Sequence, residues 1–391
     1  MNSKRTHLTP LVIAGLFLAS RLLLLAGLPL DGLTGYSDLH HFYELARLPG
    51  LPFIHYWVEF PPVFSFLGKL LYLLSSGRES TFATLAAMIF SMALAASVFF
   101  FAKLDLLVNQ REAPGAASLV LAAILAGLPY GWWYFDPLAL LAMLWGVWLI
   151  LKDRPAVGGL VLGFGALVKW FPLLALVVAW RGRSTKRALL AIASAVAVIL
   201  LVLGGLYLVA PDMTTASLRS QLSKGSWETV WALVDGNLGT GNFGPESERA
   251  DPLFAAQPMG NPPRIPSWLT LIPFAGLGLL ALVKIPRGDA RGQVAFLGVT
   301  WTLFLLWSPG WSPQWVLYLL PLMLLGLPLP RGVLLSLALV IVSLLEWPIL
   351  LSRGAFESLY FLVPLRTLLV AAMGVLMALP RLGESSVGAG G

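Results

Sequence analysis

Apolar runs of about 15 to 25 residues recur from one end of this chain to the other, and a ~30 Å hydrocarbon core is what such runs fit. Each helical residue advances the chain by 1.5 Å, so about 20 of them cross the core. Of the 391 residues, 58% are hydrophobic and only 12% charged; a soluble domain carries about 25% charged residues. No stretch of ordinary domain size remains outside the apolar runs. The chain therefore reads as an all-α integral membrane protein, a polytopic bundle of about twelve transmembrane helices with helices in its outer loops. Residues 1–391 form one domain, with a first outer loop at 30–80 and a long outer loop at 210–266.

Charge placement orders the topology. Lys4 and Arg5 precede the first run and place the N-terminus in the cytoplasm, because Lys and Arg concentrate in short cytoplasmic loops. That run has the basic start of a secretory signal but no convincing small-residue cleavage site, so it is read as the first helix. Spans are predicted over 9–28, 80–102, 114–130, 137–151, 156–168, 171–181, 188–209, 267–283, 293–307, 314–327, 332–350 and 358–379. The segment Pro61–Ser76 is apolar but short, holds Lys69 and opens with Pro-Pro; it is predicted to lie at or dip into the outer interface. This layout puts the basic run Arg181, Arg183, Lys186 and Arg187 inside, together with Lys284, Arg287, Arg291, Arg331 and Arg381. A spanning Pro61 segment would reverse the bias. The net charge of +7 has the same origin, so nucleic acid is not an expected partner. Without cysteine there are no disulfides and no thiolate metal sites.

Chemistry is expected at the outer loops. The first carries Asp38 in Tyr36-Ser37-Asp38-Leu39-His40-His41, and Glu59 in Glu59-Phe60-Pro61-Pro62. Both carboxylates stand among aromatic residues beside apolar helices, where partial desolvation raises a carboxyl pKa and makes a better base. Asp38 has an equally good structural reading as N-cap of a short helix beginning at Leu39. Asp31 and Glu44 read as solvated. Lys169, in Leu167-Val168-Lys169-Trp170-Phe171-Pro172, falls at an outer turn and either snorkels to the headgroups or binds phosphate. Arg219 and Lys224 open the long loop, where solvated charges are the default. Arg353 follows the eleventh helix. Arg366 lies in the outer half of the twelfth, where a charge is costly unless it pairs with Glu346 or a lipid phosphate; Arg21 poses the same question in the first. His40, His41 and His55 lack the carboxylate–histidine spacing of a metal cage. No Asp-x-Asp pair, nucleotide-binding glycine loop or nucleophile elbow is present. Neither a metal nor a cofactor is expected.

Tyr36-Ser37-Asp38 followed by Glu59-Phe60-Pro61-Pro62 resembles the GT-C superfamily of membrane glycosyltransferases. It is most similar to glycosyltransferase family 87, the polyprenyl-phosphate-mannose-dependent mannosyltransferases and their arabinosyl relatives. Lys169-Trp170-Phe171-Pro172, Ser226-Trp227-Glu228 through Trp231-Ala232-Leu233, and Ser312-Pro313-Gln314-Trp315 before Leu319-Leu320-Pro321 match in the same order along residues 36–321. The resemblance implies a metal-independent, inverting transfer of a sugar, mannose first of all, on the extracytoplasmic face of a bacterial plasma membrane. A polyprenyl-phosphate sugar would be the donor and a glycolipid or glycan the acceptor. Carried over by position, Asp38 would be the catalytic base, Glu59 would shape the site, Lys169 would lie near the donor phosphate and Gln314 would line the same cavity. Arg219, Lys224, Arg353, Arg366 and the pair His40 and His41 join them as candidate substrate contacts. The paired histidines depart from the family pattern.

Two other readings compete. A secondary transporter or polyprenyl-lipid flippase calls for inverted repeats and polar groups near the bilayer midplane, and a scaffold protein has no need of Asp38. No internal repeat is evident, and polar groups gather at outer helix ends. The enzyme reading is favoured.

Overall fold

The computed structural model describes residues 9–29, 31–182, 184–239, 245–285, 287 and 289–387. Lys4, Arg5, Arg183 and the Gly-rich end fall outside them, as do the side chains of Asp31, Lys284 and Arg381. Among the described residues the regular structure is helical, with three isolated β-bridges and no strand. The principal helices are α1 (Pro10–Gly27), α2 (Leu39–Arg47), α3 (Pro62–Leu74), α4 (Glu79–Asn109), α5 (Ala116–Gly127), α6 (Asp136–Leu151), α7 (Pro155–Ala166) and α8 (Phe171–Trp180). They continue with α9 (Thr185–Val209), α10 (Pro211–Ser223), α11 (Ser267–Lys284), α12 (Ala290–Trp307), α13 (Pro313–Gly326), α14 (Leu329–Leu344) and α15 (Leu359–Val387).

Among the described residues five helices are long and apolar enough to cross a membrane: Pro10–Gly27, Glu79–Asn109, Thr185–Val209, Leu329–Arg353 and Phe356–Leu379. The other predicted spans are also helical, but shorter or less apolar. The chain is an integral membrane protein. From Val316 onward α13 is apolar on every side, and all residues from Pro313 to Leu325 are buried; a helix without a polar face belongs at the centre of a bundle. It packs on α4, α5, α6, α12 and α14. α9 is the converse, with only 11% of its apolar window buried, and so presents its surface to lipid. Its one tight seam is with α7: a Cβ on Gly159 would lie 2.1 Å from the Ala191 oxygen, and one on Gly163 2.5 Å from the Ala195 oxygen. Small residues four apart let two membrane helices meet backbone to backbone.

Several boundaries differ from those predicted. α4 runs to Asn109 rather than 102, because nothing breaks it before Gln110 takes a left-handed φ of 51°. The long loop is not irregular throughout. Pro211 at its start seeds the 13-residue α10, Pro being favoured in the first helical turn, and polar composition concealed this helix. The Pro61 segment is the 13-residue α3, about 20 Å long and too short for the hydrocarbon core. Its Lys69 donates to the carbonyl oxygens of Ala46, at 3.0 Å, and Leu48, closing the C-terminus of α2.

Two buried arginines act in the same way. Arg21 donates to the carbonyl oxygens of Leu125, Ala126 and Leu128 at 3.3, 3.2 and 3.1 Å and lies 3.4 Å over Trp132. Arg181 donates to Leu282 at 3.0 Å and to Ile285. Each places its charge where unpaired carbonyls end a neighbouring helix, the negative end of that helix dipole. Arg21 therefore has a structural partner, and it is not a carboxylate.

Candidate active site

A cavity of about 880 Å³ opens where the first loop, the turns before α6 and α8, the long loop and the turn before α13 converge. A second groove, of about 490 Å³, runs between α8, α11 and α12 but is lined by apolar side chains and one threonine. Of these two, only the first is lined by charged side chains.

Its first wall is α2. Leu39, Phe42 and Ala46 turn inward at helical spacing, which leaves His40, His41 and Glu44 along the cavity. Behind them Phe42, Phe60, Phe64 and Phe135 form an aromatic backing, with Phe64 and Phe135 stacked at 3.9 Å. Asp38 stands at the N-cap position of α2 yet makes no capping bond. The Ser37 hydroxyl does so instead, accepting from the Leu39 amide at 3.1 Å while donating to the Leu33 carbonyl at 2.5 Å. The Asp38 carboxylate is left to the cavity. Burial raises its pKa above the usual carboxylate value, and the charges of His41, Lys224 and Lys169 pull it back in part.

Glu59 is held from both sides. His41 Nε2 lies 2.7 Å from Oε1, and Arg249 forms a fork to both oxygens. Arg249 comes from the long loop and stacks 4.1 Å over Trp57. Burial opposes ionisation of Glu59, but the two cations outweigh it and hold its pKa down at about 2. Burial likewise opposes the charged form of His41, and Glu59 and Asp38 outweigh that and raise it. His40 points elsewhere, to Glu79 at 2.8 Å, so the two histidines part company.

Two lysines reach the cavity. Lys169 Nζ lies 2.7 Å from Asp136 Oδ1, within 5.2 to 5.6 Å of the ring centres of Phe135, Phe171 and Trp315. Lys224 has no carboxylate at ion-pair distance among the described residues; it rests 4.4 Å over Trp227, whose Nε1 donates to Ser312 at 3.3 Å. Burial lowers its pKa, against the pull of Glu228, Asp38 and Glu59. Gln314 is 8% exposed and lines the same cavity.

Asp38, Glu59, Lys169, Lys224, Gln314, His40 and His41 thus come together from sequence positions far apart. Arg219, Arg353 and Arg366 do not line the cavity. Arg219 is exposed on α10; Arg353 donates to the carbonyl oxygens of Pro348 and Ile349, closing its own turn; Arg366 is paired with Glu346 in the protein interior. Asp136 and Arg249 were missed by the sequence reading. Asp136-Pro137 after an aromatic run is a helix-start signal with a buried charge attached, whereas nothing local distinguishes Arg249 from a solvated loop residue. Glu44 is turned toward the cavity and paired with Arg47. Among the described residues no three His, Asp or Glu side chains are grouped as metal ligands.

No curated protein sequence matches the chain. The structure of the Archaeoglobus fulgidus oligosaccharyltransferase in its apo form is similar over 98% of this chain and 56% of that one, at 14% identity and a TM-score of 0.46. The chain therefore spans little more than half the length of that protein. The sequence profile of glycosyltransferase family 87 matches residues 57–309, well over half of the chain and most of the cavity's walls. The resemblance seen in the motifs is borne out: the chain belongs to glycosyltransferase family 87.

Proposed function

We propose that this protein transfers a sugar, mannose in the first instance, from a polyprenyl-phosphate donor to a glycolipid or glycan acceptor with inversion, with Asp38 as the base. The observation that carries it is an N-cap aspartate that caps nothing and opens into a cavity containing an unpaired lysine. In the twelve-crossing topology of the charge pattern, that cavity lies on the extracytoplasmic face.

The chemistry suits these groups. The acceptor hydroxyl attacks the anomeric carbon as its proton passes to Asp38, and the bond from that carbon to the phosphate oxygen breaks. The electron pair leaves with the polyprenyl phosphate, already a good leaving group, so no strong general acid is required. Base assistance is worth about 10²–10⁴-fold. Lys224, with Lys169 in the same cavity, meets the charge that grows on the departing phosphate, and a half-buried cation does this better than a solvated one. Inversion follows when base and leaving group stand on opposite faces of the sugar. The apolar tail stays in the bilayer.

The test uses proteoliposomes loaded with labelled polyprenyl-phosphate-mannose. Asp38→Asn is expected to abolish transfer while donor binding persists. Unchanged transfer removes Asp38 as base; movement of intact lipid across the bilayer without transfer favours the flippase.

A further inference from the structure

Arg366 lies deep in α15 at 2% exposure, and the transfer chemistry gives it no task. Its guanidinium joins three separate parts of the chain. Nη1 is ion-paired with Glu346, Nη2 donates to the backbone oxygen of Glu228, and the group stands 4.6 Å from the Trp311 ring centre. Glu228 has a φ of 51°, a left-handed conformation that is strained for a residue with a side chain. Such a conformation persists only where its surroundings enforce it.

The enforced segment is the platform under Lys224. The Trp227 amide donates to Pro309 at 3.0 Å, the Trp311 amide donates back to Trp227 at 3.1 Å, and the Thr229 hydroxyl donates to Pro309 at 2.9 Å. A Cβ on Gly310 would fall 2.1 Å from the Trp227 ring, so the turn before α13 is pressed onto that indole. The same indole carries the Lys224 ammonium. A continuous path thus runs from a buried charge in α15, through the Glu228 carbonyl and the Trp227 ring, to the unpaired cation of the cavity.

We propose that Arg366 is a positioning residue for donor binding: by fixing Glu228 and Trp227 it holds the Lys224 ammonium where the lipid's phosphate enters. This rests on the glycosyltransferase reading, in which Lys224 meets that phosphate. Only arginine suits the place, because its planar fork serves a carboxylate and a carbonyl at once, whereas lysine offers a single point of charge. Removing it alone would strand Glu346 without a partner in the interior, so a test must avoid that.

Two variants do so. Arg366→Met combined with Glu346→Leu removes both charges, and Gly310→Ala keeps the pair but displaces Trp227. Each is reconstituted in proteoliposomes for two measurements: KM and kcat with polyprenyl-phosphate sugar, and protection of the Lys224 amine from acylation by added polyprenyl phosphate, read by peptide mass spectrometry. Both variants are expected to raise KM for the donor roughly tenfold or more, with kcat changing far less, and to lose protection at lipid concentrations that shield the wild type. Arg366→Lys is expected to restore part of the protection. A folded variant with wild-type KM and wild-type protection overturns the proposal, as does a fall in kcat at unchanged KM. If polyprenyl phosphate fails to shield Lys224 in the wild type while Asp38→Asn still abolishes transfer, the brace has no role in donor binding and the enzyme reading survives. If the wild type is shielded but transfers no sugar, the enzyme reading fails and the brace serves a lipid-phosphate binder.

Discussion

The hydroxyl of Ser37, not the carboxylate of Asp38, caps α2: it accepts the Leu39 amide at 3.1 Å, while Asp38 occupies the N-cap position and makes no capping bond. Neighbouring residues have divided a structural and a chemical task. Ser37→Ala is expected to lower stability by about 1 kcal/mol, the usual cost of a lost cap. Asp38→Asn is expected to leave thermal unfolding unchanged or raise its midpoint, since a carboxylate whose pKa is raised by burial is ionised at a cost to the fold. Differential scanning fluorimetry in detergent checks both; a large destabilisation by Asp38→Asn would return Asp38 to the capping role.

Asp38 must be ionised to accept a proton. Its pKa is raised by burial, so kcat/KM should climb with pH through a point above the ordinary carboxylate range. Lys224 is among the charges that hold that pKa down. In Lys224→Met the acid limb should therefore move to higher pH, a displacement visible even if the maximal rate also falls. An unmoved limb would mean that another group governs it.

Glu59 joins the two outer loops through His41 and Arg249. Its pKa is held at about 2, below its ordinary 4.5, so its stabilising contribution is present above pH 4.5 and disappears as pH falls toward 2. The His41 contribution has the opposite sense: raised in the fold, it is complete at low pH and lost as pH rises through the folded value. Glu59→Gln is expected to lower stability, because His41 and Arg249, the latter at 1% exposure, give up the carboxylate they share. Unfolding midpoints measured from pH 3 to pH 8 should show a wild-type decline at acid pH that the variant lacks.

Asp136 is 1% exposed and Lys169 17%, at a separation of 2.7 Å. Either single neutralisation leaves a charge without its partner, so Asp136→Asn with Lys169→Met should be less harmful than the two single effects added together. A double-mutant cycle on unfolding free energy is expected to give a coupling of about 1 to 3 kcal/mol. Additive effects would show that the contact contributes nothing.

The first loop and its neighbours were legible to a useful depth. Runs of apolar residues announced the helices, and motif order pointed to the family. Asp38, Glu59, Lys169 and Gln314 stand out in the sequence, and the fold brings them to one cavity. Boundaries were less legible: the extra turns of α4 and the whole of α10 follow from the presence or absence of breakers, which composition averages away. A charge at Arg366 within an apolar run calls for a partner, and Glu346 is that partner.

What the sequence determined alone is what depends on solvent. A chain so poor in charge has to put its backbone into helices within a bilayer, and its polar remainder has to gather at the ends. Only the tertiary structure decided which charges meet. Glu59 finds Arg249, Lys169 finds Asp136, and Arg366 finds both Glu346 and the Glu228 carbonyl. Local periodicity carries no information about contacts between residues 20 to 190 positions apart, because they are set by how the helices pack. The division between Ser37 and Asp38 belongs to the same class, since two adjacent residues both suited the cap and the geometry of the turn chose between them.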